Sequence, residues 1–198
     1  MEFLVISFTP TAMARSASAQ DIVVTELRIP THESGKKGLA AVMVRPNDAD
    51  RHPLAVLTHG TPRDRDGRSN MTALGMIPQA REFARRGWTA VIVLRRGFGD
   101  SGGAYVENGD ACGRRPDFVD PTKQAAKDLR ESAEYLATQP GVDASRMIGV
   151  GISAGGMAMV GLAADPPPGM VAAISFAGGR GSDAPDHVCS AGLGKCVR

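Results

Sequence analysis

Gly151-Ile152-Ser153-Ala154-Gly155 decides how this chain reads, because one local pattern gives way to another around it. Before it lies the apolar run Met147-Ile148-Gly149-Val150, which reads as a strand, and after it residues 157–164 read as an apolar helix. A serine between glycines at such a handover has the form of the G-x-S-x-G nucleophile elbow. The turn has to hold Ser153 in a strained conformation with its hydroxyl thrust outward, and flanking glycines leave room for neighbouring backbone. Ser153 is therefore the candidate nucleophile. The helix beyond it aims unpaired N-terminal amides at the same spot, so the amide of Ala154 is a candidate donor to a carbonyl oxygen gaining negative charge. A glycine-rich turn with an incidental serine would use the same five letters; the strand before and the helix after weigh against it.

Outward from this centre, helices alternate with strands. Residues 22–28 and 39–44 are rich in β-branched and apolar residues, are separated by the turn His32-Glu33-Ser34-Gly35, and read as an antiparallel hairpin. Residues 54–58 and 88–94 are apolar without alternation, as expected of strands covered on both faces. Between them residues 77–86 form a helix, with Ala80, Phe83 and Ala84 on one face and Gly87 at its end. Asp120-Pro121 reads as the cap and first turn of a second helix that places Ala125, Ala126, Leu129, Ala133 and Leu136 on one side and stops before Pro140-Gly141. Residues 146–151 feed the elbow, Pro166-Pro167-Pro168 ends the helix after it, and residues 171–176 form one more strand. The sum is an α/β protein whose mostly parallel sheet carries helices on both faces.

Composition narrows the functions. With 198 residues, 42% of them apolar, the chain suits one domain, assigned to residues 21–198. A net charge of +2 with both signs scattered, and 5% aromatic content, exclude a nucleic-acid stripe or stacking platform. No apolar run reaches the roughly 20 residues of a membrane span. Residues 1–20 read either as the remnant of a secretory signal or as a disordered tail: Ala17-Ser18-Ala19 resembles a cleavage site, while Glu2, Pro10 and Arg15 are out of place in one. A periplasmic or secreted location is the expectation and a cytoplasmic one the alternative.

Three landmarks recur in order: His59-Gly60-Thr61-Pro62 after one buried strand, Arg96-Gly97-Phe98-Gly99-Asp100-Ser101-Gly102-Gly103 after the next, and the elbow. With them the chain resembles the α/β-hydrolase superfamily over residues 21–190, most closely its dienelactone-hydrolase-like and esterase or peptidase branch. The resemblance implies a serine hydrolase of carboxylic esters or related acyl substrates that needs no cofactor or metal. It also implies that the amide of Thr61 is the second oxyanion donor beside Ala154, that His59 holds its loop, and that Phe98 and Tyr105 border the acyl pocket, with ordinary packing an equal reading for both. In this fold the triad acid and histidine follow the nucleophile in the chain. After Ser153 there are only His187 and the acids Asp165, Asp183 and Asp186, so the domain reads as truncated, lacking its last strand-helix units. A terminal loop does not preorganise a base. The expectation is weak or absent turnover with a small-molecule acyl substrate; the alternative is a non-catalytic binding protein that keeps a hydrolase-like pocket. Residues 171–176 would leave an open apolar edge suited to self-association.

Two competing signals remain. Gly97-Phe98-Gly99-Asp100-Ser101-Gly102 matches G-x-G-x-x-G after a strand, but a dinucleotide site needs a helix to start inside it, and Gly103, Asn108-Gly109 and Gly113 oppose one. Cys112 and Cys189 fall in loops leaving the same sheet edge, where a disulfide and free thiols are both open. Asp186, His187, Cys189 and Cys196 match no standard zinc spacing, and no metal is assigned.

Overall fold

The structure is a computed structural model that describes residues 21–108 and 117–179. One sheet runs in the order β1-β2-β4-β3-β5-β6, made of β1 (Ile22–Ile29), β2 (Leu39–Pro46), β3 (His52–Thr58), β4 (Thr89–Val93), β5 (Val142–Ile152) and β6 (Met170–Phe176). β2 is antiparallel to both β1 and β4, whereas β4, β3, β5 and β6 run parallel. The helices are α1 (Arg65–Ser69), α2 (Ile77–Ala84), α3 (Val119–Ala137) and α4 (Ala154–Ala164). None of them is long and apolar enough to cross a membrane.

The unbroken apolar runs are explained by the two layers they meet. Side chains alternate between the faces of a strand, so a strand covered on both sides has no position left for a polar residue. Leu54, Val56, Val91 and Val93 pack with Ala125, Leu129 and Leu136 of α3 and Met159 of α4. Ala55, Leu57, Ala90 and Ile92 turn the other way, onto Ala80 and Ala84 of α2. The fold is thus the mostly parallel α/β sheet with helices on both faces, including the hairpin of β1 and β2.

Several boundaries differ from the sequence reading for identifiable reasons. α3 starts at Val119 with Phe118 in the N-cap position, and the carboxylate one residue further out, Asp117, satisfies its first amides: its Oδ1 accepts from Val119 at 2.9 Å and Asp120 at 3.1 Å. A carboxylate just before the first turn reaches the orphan donors that Asp120, already inside the helix, cannot. α4 opens at Ala154, directly after the elbow serine, although Gly155 and Gly156 in its first turn are poor helix formers. The polar turn after β1 is a 3-10 helix (His32–Lys37), and the charged loop after β3 holds the short α1. Among the described residues β6 is the edge strand of the sheet, with Val171 and Phe176 65% and 58% exposed beside exposed Ile152, Val160 and Ile174.

A buried ion pair fastens the loop after β4 to α3. Arg96 Nε lies 3.1 Å from Asp128 Oδ1, the Arg96 amide donates to Asp128 Oδ2 at 3.0 Å, and Arg96 Nη2 donates to Gln124 Oε1 at 2.6 Å. Desolvation outweighs these partners and raises the Asp128 carboxyl from 3.8 to about 6. The folded protein therefore holds this proton more tightly than the unfolded chain does. The associated stability is complete below 3.8 and is lost as pH rises to about 6. Asp128→Asn lacks this component, so the stability of the wild type relative to the variant should fall across that window. Urea unfolding of both proteins at stepped pH measures the difference, and parallel curves would contradict the assignment.

Candidate active site

Ser153 joins β5 to α4 with φ 53° and ψ −121°, a conformation that costs a non-glycine residue on the order of 1–3 kcal/mol. The surrounding backbone holds it there. Its amide donates to the Phe176 carbonyl at 2.9 Å, and its carbonyl accepts from Met157 at 3.1 Å and Gly179 at 3.2 Å. The serine is partly exposed, and its hydroxyl has no hydrogen-bond partner among the described residues.

The flanking glycines are required by close approach. A Cβ on Gly151 would lie 2.1 Å from the Gly155 carbonyl oxygen, and one on Gly155 would lie 2.4 Å from that of His59. The chain leaving β3 therefore crosses against the first turn of α4. Gly60 faces the serine, since a Cβ there would stand 3.1 Å from Ser153 Cβ and 3.6 Å from its Oγ. Thr61 follows Gly60, and Ala154 opens α4. Among the described residues neither the Thr61 nor the Ala154 amide has an acceptor. Ser153 therefore lies against Gly60, one residue from Thr61 and directly before Ala154, with neither of those two amides spent on another acceptor among the described residues.

His59 is buried beneath this loop, with Nδ1 2.6 Å from the Gly60 carbonyl and Nε2 accepting the Arg95 amide at 3.2 Å. Acceptance at Nε2 places the ring proton on Nδ1, which donates to Gly60. Burial, reinforced by the Arg95 charge, lowers its pKa to about 3, so the ring is neutral with both nitrogens spent. Phe98 is fully buried, edge-on to His59 at 4.5 Å and to Tyr105 at 5.3 Å, so its ring serves packing. Tyr105 keeps part of its surface and lies under the Arg68 guanidinium at 4.5 Å.

No other described histidine approaches the serine. His32 sits on the exposed turn beside Glu33, and His52, at the far end of β3, bonds Asp48 at 2.7 Å. Asp165 lies past the C-terminal end of α4, about 16 Å of helix from the elbow, and pairs with Arg130 at 2.6 Å. That position removes it from the acids able to orient a base. His187, Asp183, Asp186, Cys112, Cys189 and Cys196 lie outside the described residues. The stretch 97–102 opens no helix, and its first glycine, with φ 75°, admits Tyr105, whose Cα would be 2.4 Å from an added Cβ. Among the described residues no three His, Cys, Asp or Glu side chains gather as metal ligands.

One feature of the site was missed in the sequence. Arg95 and Glu107, with side chains 0% and 1% exposed, form a bidentate pair under the exit of β3. An arginine at the end of the apolar run of β4 was the available signal for it. Glu107, in an irregular stretch, gave none.

Comparison with known proteins bears on the family and the fold. The profile of the X-Pro dipeptidyl-peptidase family, S15, matches residues 35–194. Among solved structures, an aminopeptidase from the marine sediment archaeon Thaumarchaeota archaeon superposes with a TM-score of 0.55 at 21% identity, covering 88% of this chain and 28% of its own. A Klebsiella pneumoniae protein described as a dienelactone hydrolase gives 0.55 at 20% identity, with 80% and 60% covered. An α-amino acid ester hydrolase gives 0.52 at 23%, with 85% and 28% covered. The chain thus spans between 28% and 60% of the length of these structures. No curated protein sequence matches.

The strain at residue 153 is open to measurement. Ser153→Ala keeps a Cβ in the unfavourable conformation, whereas Ser153→Gly removes it, against a smaller entropic gain of the unfolded chain. Ser153→Gly should be the more stable of the two by about 1 kcal/mol in urea unfolding. Equal stabilities, or a more stable alanine variant, would show that the bend is relaxed.

Proposed function

Since the chain belongs to the X-Pro dipeptidyl-peptidase family S15 and has the α/β-hydrolase fold, we propose that it is a serine-dependent hydrolase of carboxylic esters or related acyl substrates, with Ser153 as nucleophile. The observation that carries this reading is the forced conformation of Ser153 at the head of α4, next to Gly60 and Thr61.

In the proposed reaction Ser153 Oγ attacks the substrate carbonyl, and the oxygen that gains negative charge is received by the amides of Ala154 and Thr61. Such donors act where charge develops and are worth on the order of 10²–10³ in turnover each. The hydroxyl proton passes to a base and from it to the leaving group; water then attacks the acyl-enzyme and releases the acid. His59 does not fit as that base, because its two nitrogens are committed and its ring stays neutral. His187, outside the described residues, is the one histidine that follows Ser153 in the sequence. Loss of a triad histidine costs about a million-fold in turnover, so the rate depends chiefly on how well this role is filled.

A fluorophosphonate probe and a p-nitrophenyl ester test the proposal together. Slow but specific labelling at Ser153 is expected, with weak ester turnover that disappears in Ser153→Ala. A folded protein that binds the ester yet is neither labelled nor active would sink the proposal in favour of a binding protein with a hydrolase-like pocket.

A further inference from the structure

We propose that the buried Arg95–Glu107 ion pair is a positioning device for the Thr61 amide, acting through residues 58–61; the inference rests on the serine-hydrolase reading above. Arg95 divides its guanidinium between Glu107 and residues 58–59. Nε and Nη2 grip the two oxygens of Glu107, the second at 3.0 Å, while Nη1 donates to Thr58 Oγ1 at 2.7 Å and to the His59 carbonyl at 2.8 Å. Its own amide donates to His59 Nε2, and the Thr61 hydroxyl donates to Glu107 Oε2 at 3.4 Å. Three of the four residues between the end of β3 and the proposed oxyanion donor are therefore tied to this pair. The remaining one is Gly60, which has no side chain to hold and whose carbonyl accepts a hydrogen bond from His59 Nδ1.

The chemistry of the pair fits positioning better than bulk stability. A buried ion pair is commonly no more stabilising than apolar residues of the same volume, because desolvating both charges offsets their attraction. What apolar residues cannot supply is direction. A planar guanidinium offers donors in a fixed fork, and here the fork aims two of them at the carboxylate and another at Thr58 and His59. The carboxylate in turn fixes the guanidinium and reaches Thr61. The loop is thus held at its start through Thr58, in its middle through His59, and at its end through the Thr61 hydroxyl, which leaves the Thr61 amide free for substrate.

The distinguishing experiment replaces charge and direction while keeping volume. Glu107→Gln leaves Arg95 buried without its counter-charge and can fail to fold, so the decisive protein is the double variant Arg95→Leu/Glu107→Leu, in which both charges are gone. Three quantities are read in it and in the wild type: the rate of Ser153 labelling by a fluorophosphonate, kcat and KM for p-nitrophenyl acetate, and hydrogen exchange of the amides in 55–61. The expected result is a folded double variant whose labelling rate and kcat fall about 10²-fold at nearly unchanged KM, as for a misplaced oxyanion donor. The amides of 59–61 should exchange at least about tenfold faster while those of 55–57 keep their protection. A folded double variant with wild-type rates and wild-type exchange would overturn the proposal. If the wild type is not labelled at Ser153 the serine-hydrolase reading fails instead, and the exchange of 59–61 then decides whether the pair holds the loop.

Discussion

The site depends on a steric constraint: the chain leaving β3 passes so close to the first turn of α4 that no side chain fits between them. Gly155 is the contact point, against the carbonyl of His59, and Gly151 yields to the Gly155 carbonyl in the same way. That crossing sets Gly60 against Ser153 and brings the Thr61 segment beside the helix that starts at Ala154. Two segments nearly a hundred residues apart in sequence are thereby brought to one point, as the parallel pairing of β3 with β5 requires. The strained serine is a consequence of this crossing, because a strand that ends there and a helix that begins at once leave residue 153 no relaxed conformation.

Around the crossing the protein separates two kinds of interaction. Apolar burial is carried by the two faces of the sheet, where alternate residues of β3 and β4 meet α2 on one side and α3 with α4 on the other. Among the described residues, buried carboxylates and guanidinium groups gather on the loop leaving β4 and at Asp128 of α3. Arg95 pairs with Glu107 under the exit of β3, and Arg96 pairs with Asp128 to fasten the loop after β4 onto α3. Consecutive arginines thus go to different partners where the chain leaves β4 and enters a turn, with the Phe98 amide bonded to the Arg95 carbonyl at 3.3 Å. Irregular backbone lacks the ladder that holds a strand, and these charged side chains supply the missing hydrogen bonds.

Much of this was legible in the sequence for a physical reason. Apolar runs without alternation report strands covered on both faces, and glycines at 151 and 155 report backbone contact, so the parallel sheet and the elbow could be read from local letters. The start of α4 could not, because the same glycines lower helix propensity where tertiary contact overrides it. Asp117 as the acceptor for the first amides of α3 was hidden behind the stronger local signal Asp120-Pro121. Phe98, on the landmark loop, turned out to be wholly buried against His59 and Tyr105. The Arg95–Glu107 pair was the least accessible of all, since its partners are separated by an irregular stretch whose path no periodicity describes.

The elbow also ties the proposed chemistry to the least protected part of the sheet. The amide of Ser153 is held by the carbonyl of Phe176, the last residue of β6, and its carbonyl by the amide of Gly179 just beyond. Ala177 between them has φ 46°, a second non-glycine residue in the left-handed region. Hydrogen bonds of this kind contribute about 0.5–1.5 kcal/mol each, so the three at Ser153 together are of the same order as the strain they hold. One of the three comes from the last residue of a strand whose side chains are mostly exposed, and a second from Gly179 beyond it. Edge segments open at lower free-energy cost than central ones. Whatever covers or uncovers β6 therefore acts directly on the balance that keeps Ser153 strained, so the conformation of the proposed nucleophile depends on the order of this strand as well as on that of the core.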